Sequence, residues 1–283
     1  MIYFNRVCKV VIENRTRIEI IGCKIKFEIL KSTQTKDNTA KIEIYNLSPQ
    51  TRKIITDEDS LVRLFAGYSS YKGLIEVGQG DISKVQHNRD KTEVVTEMYL
   101  AEGLNTFKNS PVSVGYSYDT KARLSQILDK LAAQTKLKFR TIDVDTALAA
   151  DMGYSDVGAI DQVLDNLSVQ FNFTWSVQNG VVLIKGNKAT TRTEIMLLSP
   201  DSGLILHPES VKKVSKKLEK SEITKLAKKV SQVQALLQPH LQVHDIVKIM
   251  SAEMNGLYEI QKIKHIGDTH GNDWYSTLEV APR

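Results

Sequence analysis

Residues 24–49, KIKFEILKSTQTKDNTAKIEIYNLSP, decide the fold of the first third of the chain. Within this stretch, residues 25–29 and 40–44 alternate apolar and charged side chains, and a loop rich in Ser, Thr, Asp and Asn separates them. Successive side chains on a strand point to opposite faces, so each segment has one apolar and one charged face. Pro49 ends the second strand, and Ser48 or Thr51 can cap a short helix after it. The stretch predicts an amphipathic β-hairpin whose apolar face needs a curved sheet to cover it.

The composition is that of a globular protein with more than one domain. The chain has 283 residues, enough for two or three domains, and it is 41% hydrophobic and 25% charged. Residues 1–20 carry a charge every few positions, so we expect neither a signal peptide nor a membrane span, and we expect synthesis and folding in the cytoplasm. Cys8 and Cys23 lack CxxC spacing. They are expected to be free, buried and reduced, the alternative being a disulfide between neighbouring strands.

Residues 1–105 predict an N-terminal β-barrel-like domain. Alternating segments at 61–68, 80–85 and 92–100 follow the opening hairpin, and residues 87–91 have the composition of a turn. Several short strands broken by Gly, Asn and Asp are typical of a barrel or sandwich. The one helix expected here is a short turn at residues 49–55.

Residues 106–187 predict an α+β domain in which a helix is twice followed by a strand. Asp119 or Thr120 can cap the first helix, which ends near Thr135 and precedes a strand at 137–140. The second helix is expected to begin at Ser155, before strands at 171–177 and 181–184 joined by a turn at residues 178–180. Apolar residues at helical spacing support both helices: Leu124, Ile127, Leu128 and Leu131 in the first, and Val157, Ile160, Val163, Leu164 and Leu167 in the second.

Residues 188–283 return to alternating segments and predict a C-terminal β-barrel-like meander. Asn255 and Gly256 are expected to form a turn, and residues 267–273 connect the last two strands. Trp274 is assigned to the core of this barrel, with an interface anchor as the alternative. The fold class is therefore mainly β with an α+β insert, in which two small β-barrel-like, tube-type domains flank a two-helix domain.

Two ordered sets of residues resemble the baseplate hub, or tail-tube-terminating, proteins of long-tailed bacteriophages. The first is the opening hairpin with Ile42, Ile44, Tyr45, Asn46, Leu47 and Ser48, and the second contains Pro239, Asp245, His265, Gly267, Asp268 and Trp274. His244 departs from the family pattern, which usually has Gly before the Asp. This departure affects the tightness of that turn.

The resemblance implies a structural role in the virion, at the tail baseplate. It implies a homotrimer whose β domains alternate around a ring, so that six similar faces meet the sixfold tail tube protein and threefold symmetry meets the central spike protein. Other baseplate proteins would surround the ring, and DNA would pass through its channel without sequence-specific contact. Residues 124–135 and 160–167, with the hairpin that contains Trp175, also resemble the small ring-forming or docking domains that precede secretin pores and TonB-dependent receptors. The alternative is an ordinary domain of two helices and one sheet, which buries Leu and Ile at the same spacing.

The residues that carry chemistry elsewhere form no recognisable constellation here. His240 with His244, and His265 with Asp268 and His270, are close in sequence but follow an extended segment and a turn, so no metal is expected. There is no nucleophile elbow, positioned Cys–His pair, shielded carboxylate pair or phosphate-binding loop. Asp268 is expected to be a turn former and His265 a hydrogen-bonding residue at a strand end. We expect neither an enzyme nor a cofactor.

A lysine-rich segment raises the question of whether the chain contacts nucleic acid. Much of the net charge of +5 comes from lysines between Lys212 and Lys229, a segment without aromatic residues. A solvated face is favoured over a DNA contact, because bases have no stacking platform there. A peptidoglycan- or envelope-binding module of a tail is the competing hypothesis for the whole chain, and a hub-fused peptidase or lysozyme is the third.

Overall fold

The computed structural model describes residues 5–14, 16–33, 38–55, 60–103, 111–117, 121–135, 137–186, 195–210 and 230–283. Strands predominate there, and three α-helices are present, so the predicted class, mainly β with an α+β insert, is confirmed. The first part contains β1 (Arg6–Glu13), β2 (Arg17–Ile21), β3 (Ile25–Ser32), β4 (Thr39–Tyr45), α1 (Pro49–Ile55), β5 (Leu61–Tyr68), β6 (Gly73–Asp90) and β7 (Glu93–Ala101). The insert contains β8 (Pro111–Tyr116), β9 (Ala122–Arg123), α2 (Leu124–Thr135), β10 (Lys138–Ile142), β11 (Ala149–Ala150), β12 (Tyr154–Ala159), α3 (Ile160–Phe171), β13 (Phe173–Gln178) and β14 (Val181–Gly186). The last part contains β15 (Met196–Leu198), a 3₁₀ turn (Pro200–Ser202), β16 (Leu204–Ser210), β17 (Ser231–Leu236), β18 (Ile246–Met250), β19 (Asn255–Asp268) and β20 (Trp274–Pro282).

The opening hairpin forms as predicted. Strands β3 and β4 pair antiparallel, with Ile25 opposite Ile44, and β4 pairs in turn with β7. Ile42 and Ile44 are fully buried, whereas the intervening charged residues lie on the opposite face. The amide of Thr51 donates to Ser48 Oγ at 3.1 Å, so Ser48 is the cap of α1.

The first and last parts of the chain share one sheet. Its strands follow the order β16-β17-β20-β19-β3-β4-β7-β6-β5-β1-β2, and β18 joins β19 and carries β15. The two halves meet where β19 pairs antiparallel with β3. Closure of either part into a separate barrel stays a prediction.

The buried apolar residues form three clusters, one for each stretch of the chain. Trp274 is buried, but it packs in the cluster of the first part, where its ring centroid lies 5.5 Å from that of Phe27. The prediction that Trp274 belongs to the core of the last part is therefore wrong. Trp274 begins β20, next to β19, and β19 pairs with β3 of the first part, so the indole lies where the two halves of the sheet meet.

Two helices of the insert pack on small sheets and confirm the predicted alternation of helix and strand. Helix α2 precedes β10, and α3 precedes β13. Strands β13 and β14 are joined at Asn179 and Gly180, which both have positive φ (53° and 72°), as the Asn-Gly pair predicts. The apolar helix residues named above are buried, except Val157.

Three predicted boundaries are wrong. The second helix begins at Ile160, because residues 154–159 pair with β8 as strand β12 and Val157 points outward, 72% exposed. Strand β6 continues through Asp90, so the turn before β7 is shorter than residues 87–91. Asn255 already pairs with Met250, and the turn lies at residues 251–254 instead. The proposed caps Asp119 and Thr120, and the lysine-rich segment from Lys212 to Lys229, lie outside the described residues.

Other features of the described residues concern the thiols and membranes. Cys8 and Cys23 are free; Cys8 is buried, and burial raises its pKa to about 12, whereas Cys23 is only half-buried. Among the described helices, none has the length and apolar character needed to cross a membrane.

Candidate assembly interface

The pairing of β3 with β19, which joins the two halves of the sheet, explains why residue 267 is a glycine. Residues 262–268 of β19 pair one to one with residues 26–32 of β3, which places Gly267 opposite Phe27. A Cβ on Gly267 would overlap the ring of Phe27 and approach that of Trp274. Glycine therefore lets the two aromatic rings close over the backbone at the join.

The loop after β19 is held by a residue from the first strand of the chain. The Arg6 guanidinium donates to the carbonyl of Gly271 at 2.7 Å and lies 5.6 Å from the centroid of the Trp274 ring. Asp268 accepts a hydrogen bond from the amide of His270 at 2.9 Å, which makes it the turn former that the sequence predicts. Strand β1 is thus tied to the β19–β20 loop across the sheet.

His265 is a buried hydrogen-bonding residue. Its Nδ1 lies 2.8 Å from Ser276 Oγ, which also accepts the amide of Gln238 at 2.9 Å. Burial, with smaller contributions from the charges of Lys31 and His240, lowers the pKa of His265 to about 3. The imidazole is therefore neutral at physiological pH, and it links β19 to β20 and to the segment after β17.

Pro239 and Asp245 fix the segment between β17 and β18. Pro239 is buried after the end of β17, and Asp245 accepts the amide of Gln242 at 2.9 Å. His244 has φ 69°, in the left-handed region that Gly adopts most easily. The turn that the family pattern fills with Gly is thus formed here by a histidine. Glu259 Oε1, 3.1 Å from His244 Nδ1, holds that side chain in place.

The hairpin residues of the motif fix the end of β4 to β7. Asn46, with φ 58°, donates its amide to the carbonyl of Val94 at 2.8 Å and accepts the Val94 amide on its side chain at 3.0 Å. Lys26 Nζ connects this group to the second one, because it lies 5.8 Å from the Tyr45 ring and 3.6 Å from Asp268. Buried core positions account for the other members, Ile42, Ile44 and Leu47.

The insert contacts the first part through hydrogen bonds at the tip of its β13–β14 hairpin. Asn38 has a central place, because its side chain donates to the carbonyl of Val177 and to Glu102. Burial lowers the pKa of Lys31 and raises that of Glu102, the two charged members. We call this contact between the insert and the first part the polar seat. Its hydrogen bonds are Asn38–Val177 at 2.6 Å, Lys31–Asn179 at 2.5 Å, Gln178–Ser32 at 3.0 Å and Gly180–Glu102 at 2.7 Å. The apolar cluster of the insert contains only insert residues.

A buried ion pair joins the insert to the last part. Lys185 Nζ of β14 lies 2.6 Å from Glu259 Oε1 of β19, and His244 Nδ1 approaches the same oxygen. Burial alone would favour protonated Glu259, but hydrogen bonds from His244 and Lys185 lower its pKa to about 2. The sequence gives no signal for this cluster, because Lys185 is far from both partners along the chain.

Among the described residues the large sheet has three edge strands, namely β2 and β16 at the ends of the main strand order and β15 on its branch. Strand β2 pairs only with β1 and β16 only with β17, as far as the structure describes their neighbours. Both present large apolar side chains: Ile21 is 62% exposed and Ile205 is 48% exposed. Open edges with exposed apolar residues are sites for adding a strand from another chain.

The face of β19, β3, β4 and β7 opposite the core is covered with paired charges. Lys264 lies 2.7 Å from Glu28, and Lys41 lies 2.6 Å from Glu43. The strand register places these residues on one face, together with Glu97 and Tyr99. We call this surface the paired-charge face.

The histidines that suggested a metal hypothesis each have separate partners. His240 Nε2 lies 3.2 Å from Met196 Sδ, whereas His244 and His265 bond to Glu259 and Ser276. Across the described ranges, no three His, Cys, Asp or Glu side chains are grouped as a metal site would require.

No protein-family model matches the sequence, and no curated protein matches it. Solved structures do share its fold. The 43 kDa tail protein of prophage MuSo2 from Shewanella oneidensis superposes with a TM-score of 0.68 at 9% identity, over 97% of this chain and 98% of that one. A tail protein from Neisseria meningitidis MC58 gives 0.66 at 11% identity, over 98% and 97%. The E. coli c3393 protein, described as a type VI secretion component similar to T4 tail proteins gp27 and gp5, gives 0.61 at 10% identity, over 96% and 76%. The chain therefore has the fold of these tail proteins along almost its entire length.

Proposed function

We propose that this protein is a structural, non-enzymatic component of a phage tail baseplate, located in the virion. More specifically, it is the hub: a homotrimeric ring that adapts the sixfold tail tube to the threefold central spike. The shared fold supports the tail role, because it extends over nearly the full length of two tail proteins. In this proposal the three-part division at 1–105, 106–187 and 188–283 separates two ring-building parts from a docking insert.

The observation that carries the ring is the pair of open edges, β2 from the first part and β16 from the last. Two different edges of one molecule suit a head-to-tail contact, in which β2 of one copy meets β16 of the next. Such a contact closes into a ring when the rotation between copies divides a full turn. Three copies then alternate first and last parts, giving six sheet segments around one axis.

The paired-charge face is the channel wall in this proposal. Its lysines are matched by carboxylates, as in Lys264–Glu28 and Lys26–Asp268. Phosphate binding depends on unpaired cationic groups that release counterions. A wall of this kind would let DNA pass without binding it tightly. Along the axis, the neighbours of the ring would be the tail tube and spike proteins.

The oligomeric state of the purified full chain tests the ring. We expect a trimer by mass photometry, and a monomer when the edges are blocked by Ile21→Lys or Ile205→Lys, because a lysine on an edge strand opposes strand addition. Val169→Lys is the matched control, since Val169 is 85% exposed on α3, away from both edges. It should remain trimeric.

Two outcomes would overturn the proposal. One is a stable monomer at high protein concentration with no ring in electron micrographs. The other is a monomer that sediments with cell walls, which would favour the envelope-binding hypothesis. If the trimer forms but neither edge variant disrupts it, the hub assignment survives and the β2–β16 contact is wrong.

A further inference from the structure

Apart from the two-residue ladder of β9 and β11, the small sheets of the insert have four edges, and three of these four are occupied or carry charged side chains. The edge of β13 is engaged by Asn38 of the polar seat, which donates to the carbonyl of Val177. The edge strand β10 carries exposed Lys138 and Arg140, charges of the kind that discourage strand addition. The remaining two edges belong to the β8–β12 pair, and they differ from each other.

Side chains from α2 occupy the outer edge of β8. Gln134 Oε1 accepts the amide of Ser113 at 3.0 Å, and its Nε2 donates to the Ser113 carbonyl at 2.9 Å. The amide of one glutamine thus makes the two hydrogen bonds that a neighbouring strand would make. Lys130 Nζ covers the next outward carbonyl, that of Gly115, at 3.1 Å.

Strand β12 presents the same kind of edge uncovered. Since Ser113 turns its amide and carbonyl away from β12, the opposite residue Val157 turns its own groups away from β8. By alternation, the amides of Ser155 and Ala159 also point outward. Among the described residues, no backbone partner is assigned to these groups.

The side chains on and beside β12 leave room for an added strand, and they indicate that this added strand would be positively charged. Asp156, the acidic residue of β12, is turned back to Asn166 of α3 at 2.8 Å and to the Tyr154 hydroxyl at 3.1 Å, so no charge guards the edge. Val157 stands 72% exposed beside it. Residues 154–167, which form β12 and the adjoining part of α3, contain three aspartates and neither lysine nor arginine, so this stretch is acidic.

We propose that β12 is a strand-addition site for an extended segment of a partner protein, with apolar residues alternating with lysine or arginine. Backbone hydrogen bonds to Ser155, Val157 and Ala159 would supply affinity, and an apolar partner residue would cover Val157. The basic residues would face the aspartates of the insert. This proposal does not depend on the ring, since β12 lies in the insert and takes no part in the β2–β16 contact.

A synthetic peptide of alternating lysine and valine tests the site on the full chain. We expect it to bind and to slow amide exchange at Ser155, Val157 and Ala159, while the Ser113 amide, already bonded, stays unchanged. The Val157→Pro variant removes an outward donor without breaking a bond to β8, so it should fold and bind the peptide about tenfold more weakly. Val169→Ser, which removes another exposed valine, should bind like the unaltered chain.

Two further peptides test whether binding requires an extended strand and a positive charge. A peptide with a central proline and one with glutamate in place of lysine should each bind at least about tenfold more weakly. Equal binding of the proline peptide, or exchange protection confined to residues outside β12, would show charge attraction only and overturn the proposal. Unchanged binding by Val157→Pro would overturn it as well.

Discussion

Gly267 and Gly115 are both strand glycines, but only one of them is crowded. Gly267→Ala places a methyl group against Phe27 and Trp274, whereas a methyl group at Gly115 would meet no atom within 4 Å. Overpacking of this kind costs about 1–3 kcal/mol. We expect Gly267→Ala to lower the free energy of unfolding by that amount in urea titrations, and Gly115→Ala to leave it nearly unchanged. Equal effects of the two substitutions would contradict the packing described for the join.

His265 gives the protein a predictable dependence on pH. Its pKa in the folded state is about 3, against an ordinary value of 6.5, so between these values the unfolded chain binds a proton that the folded chain does not. This contribution to stability is complete above pH 6.5 and is lost as the pH falls toward 3, by at most about 1.4 kcal/mol per pH unit. The His265→Asn variant should show a flatter stability profile between pH 6.5 and 5. A profile as steep as that of the unaltered chain would contradict this assignment.

The sequence predicted the roles of motif residues that act on their chain neighbours, but not the roles that depend on residues distant along the chain. Ser48 and Asp268 act locally, on residues two or three positions away, so their cap and turn roles follow from the sequence. Gly267 depends on Phe27, which is distant along the chain, and its steric reason appears only in the folded molecule. His244 in a left-handed turn is likewise explained by its contact with Glu259.

At the scale of elements, the hairpin β13–β14 depends on Asn38 for its docking. Asn38→Ala removes the hydrogen bonds to Val177 and Glu102 and leaves buried polar groups without that partner. We expect amide exchange at residues 177–180 to become about tenfold faster, a change equivalent to about 1.4 kcal/mol. The control is Asn166→Ala, which removes a side-chain amide bonded to Asp156 within the insert. If exchange at the hairpin were unchanged, the polar seat would not hold the insert.

The alternation of residues predicted the strands better than it predicted the start of α3. Val157 has helical spacing from Ile160 and Val163, so the sequence extends the helix back to Ser155. Pairing of residues 154–159 with β8 overrides that spacing, and Val157 turns outward. The partner strand lies about forty residues earlier, which local periodicity cannot detect.

At the scale of the whole molecule, the pair Lys185–Glu259 couples the insert to the last part. A double-mutant cycle with Lys185→Met and Glu259→Gln should give a coupling of about 2 kcal/mol at neutral pH, measured by urea unfolding. The pKa of Glu259 is lowered from 4.5 to about 2, so the coupling should be complete above pH 4.5 and disappear as the pH falls toward 2.

The exposed pair Lys121–Asp151, with nitrogen and oxygen 3.6 Å apart, is the matched control and should show almost no coupling. A coupling for Lys185–Glu259 that is no larger than this, or that persists at pH 2, would contradict the role of the pair.

The pairing of β3 with β19 sets an order of events during synthesis. More than two hundred residues separate these partners in the chain. A ribosome therefore releases the opening hairpin long before the strand that completes its sheet exists, and such distant pairing forms slowly. A chain that stops before residue 255 lacks β19 and β20, the two strands that connect β16 and β17 to β3. Such a chain cannot place β2 and β16 at the two ends of one continuous sheet, so it would lack the pair of edges that the proposed ring requires.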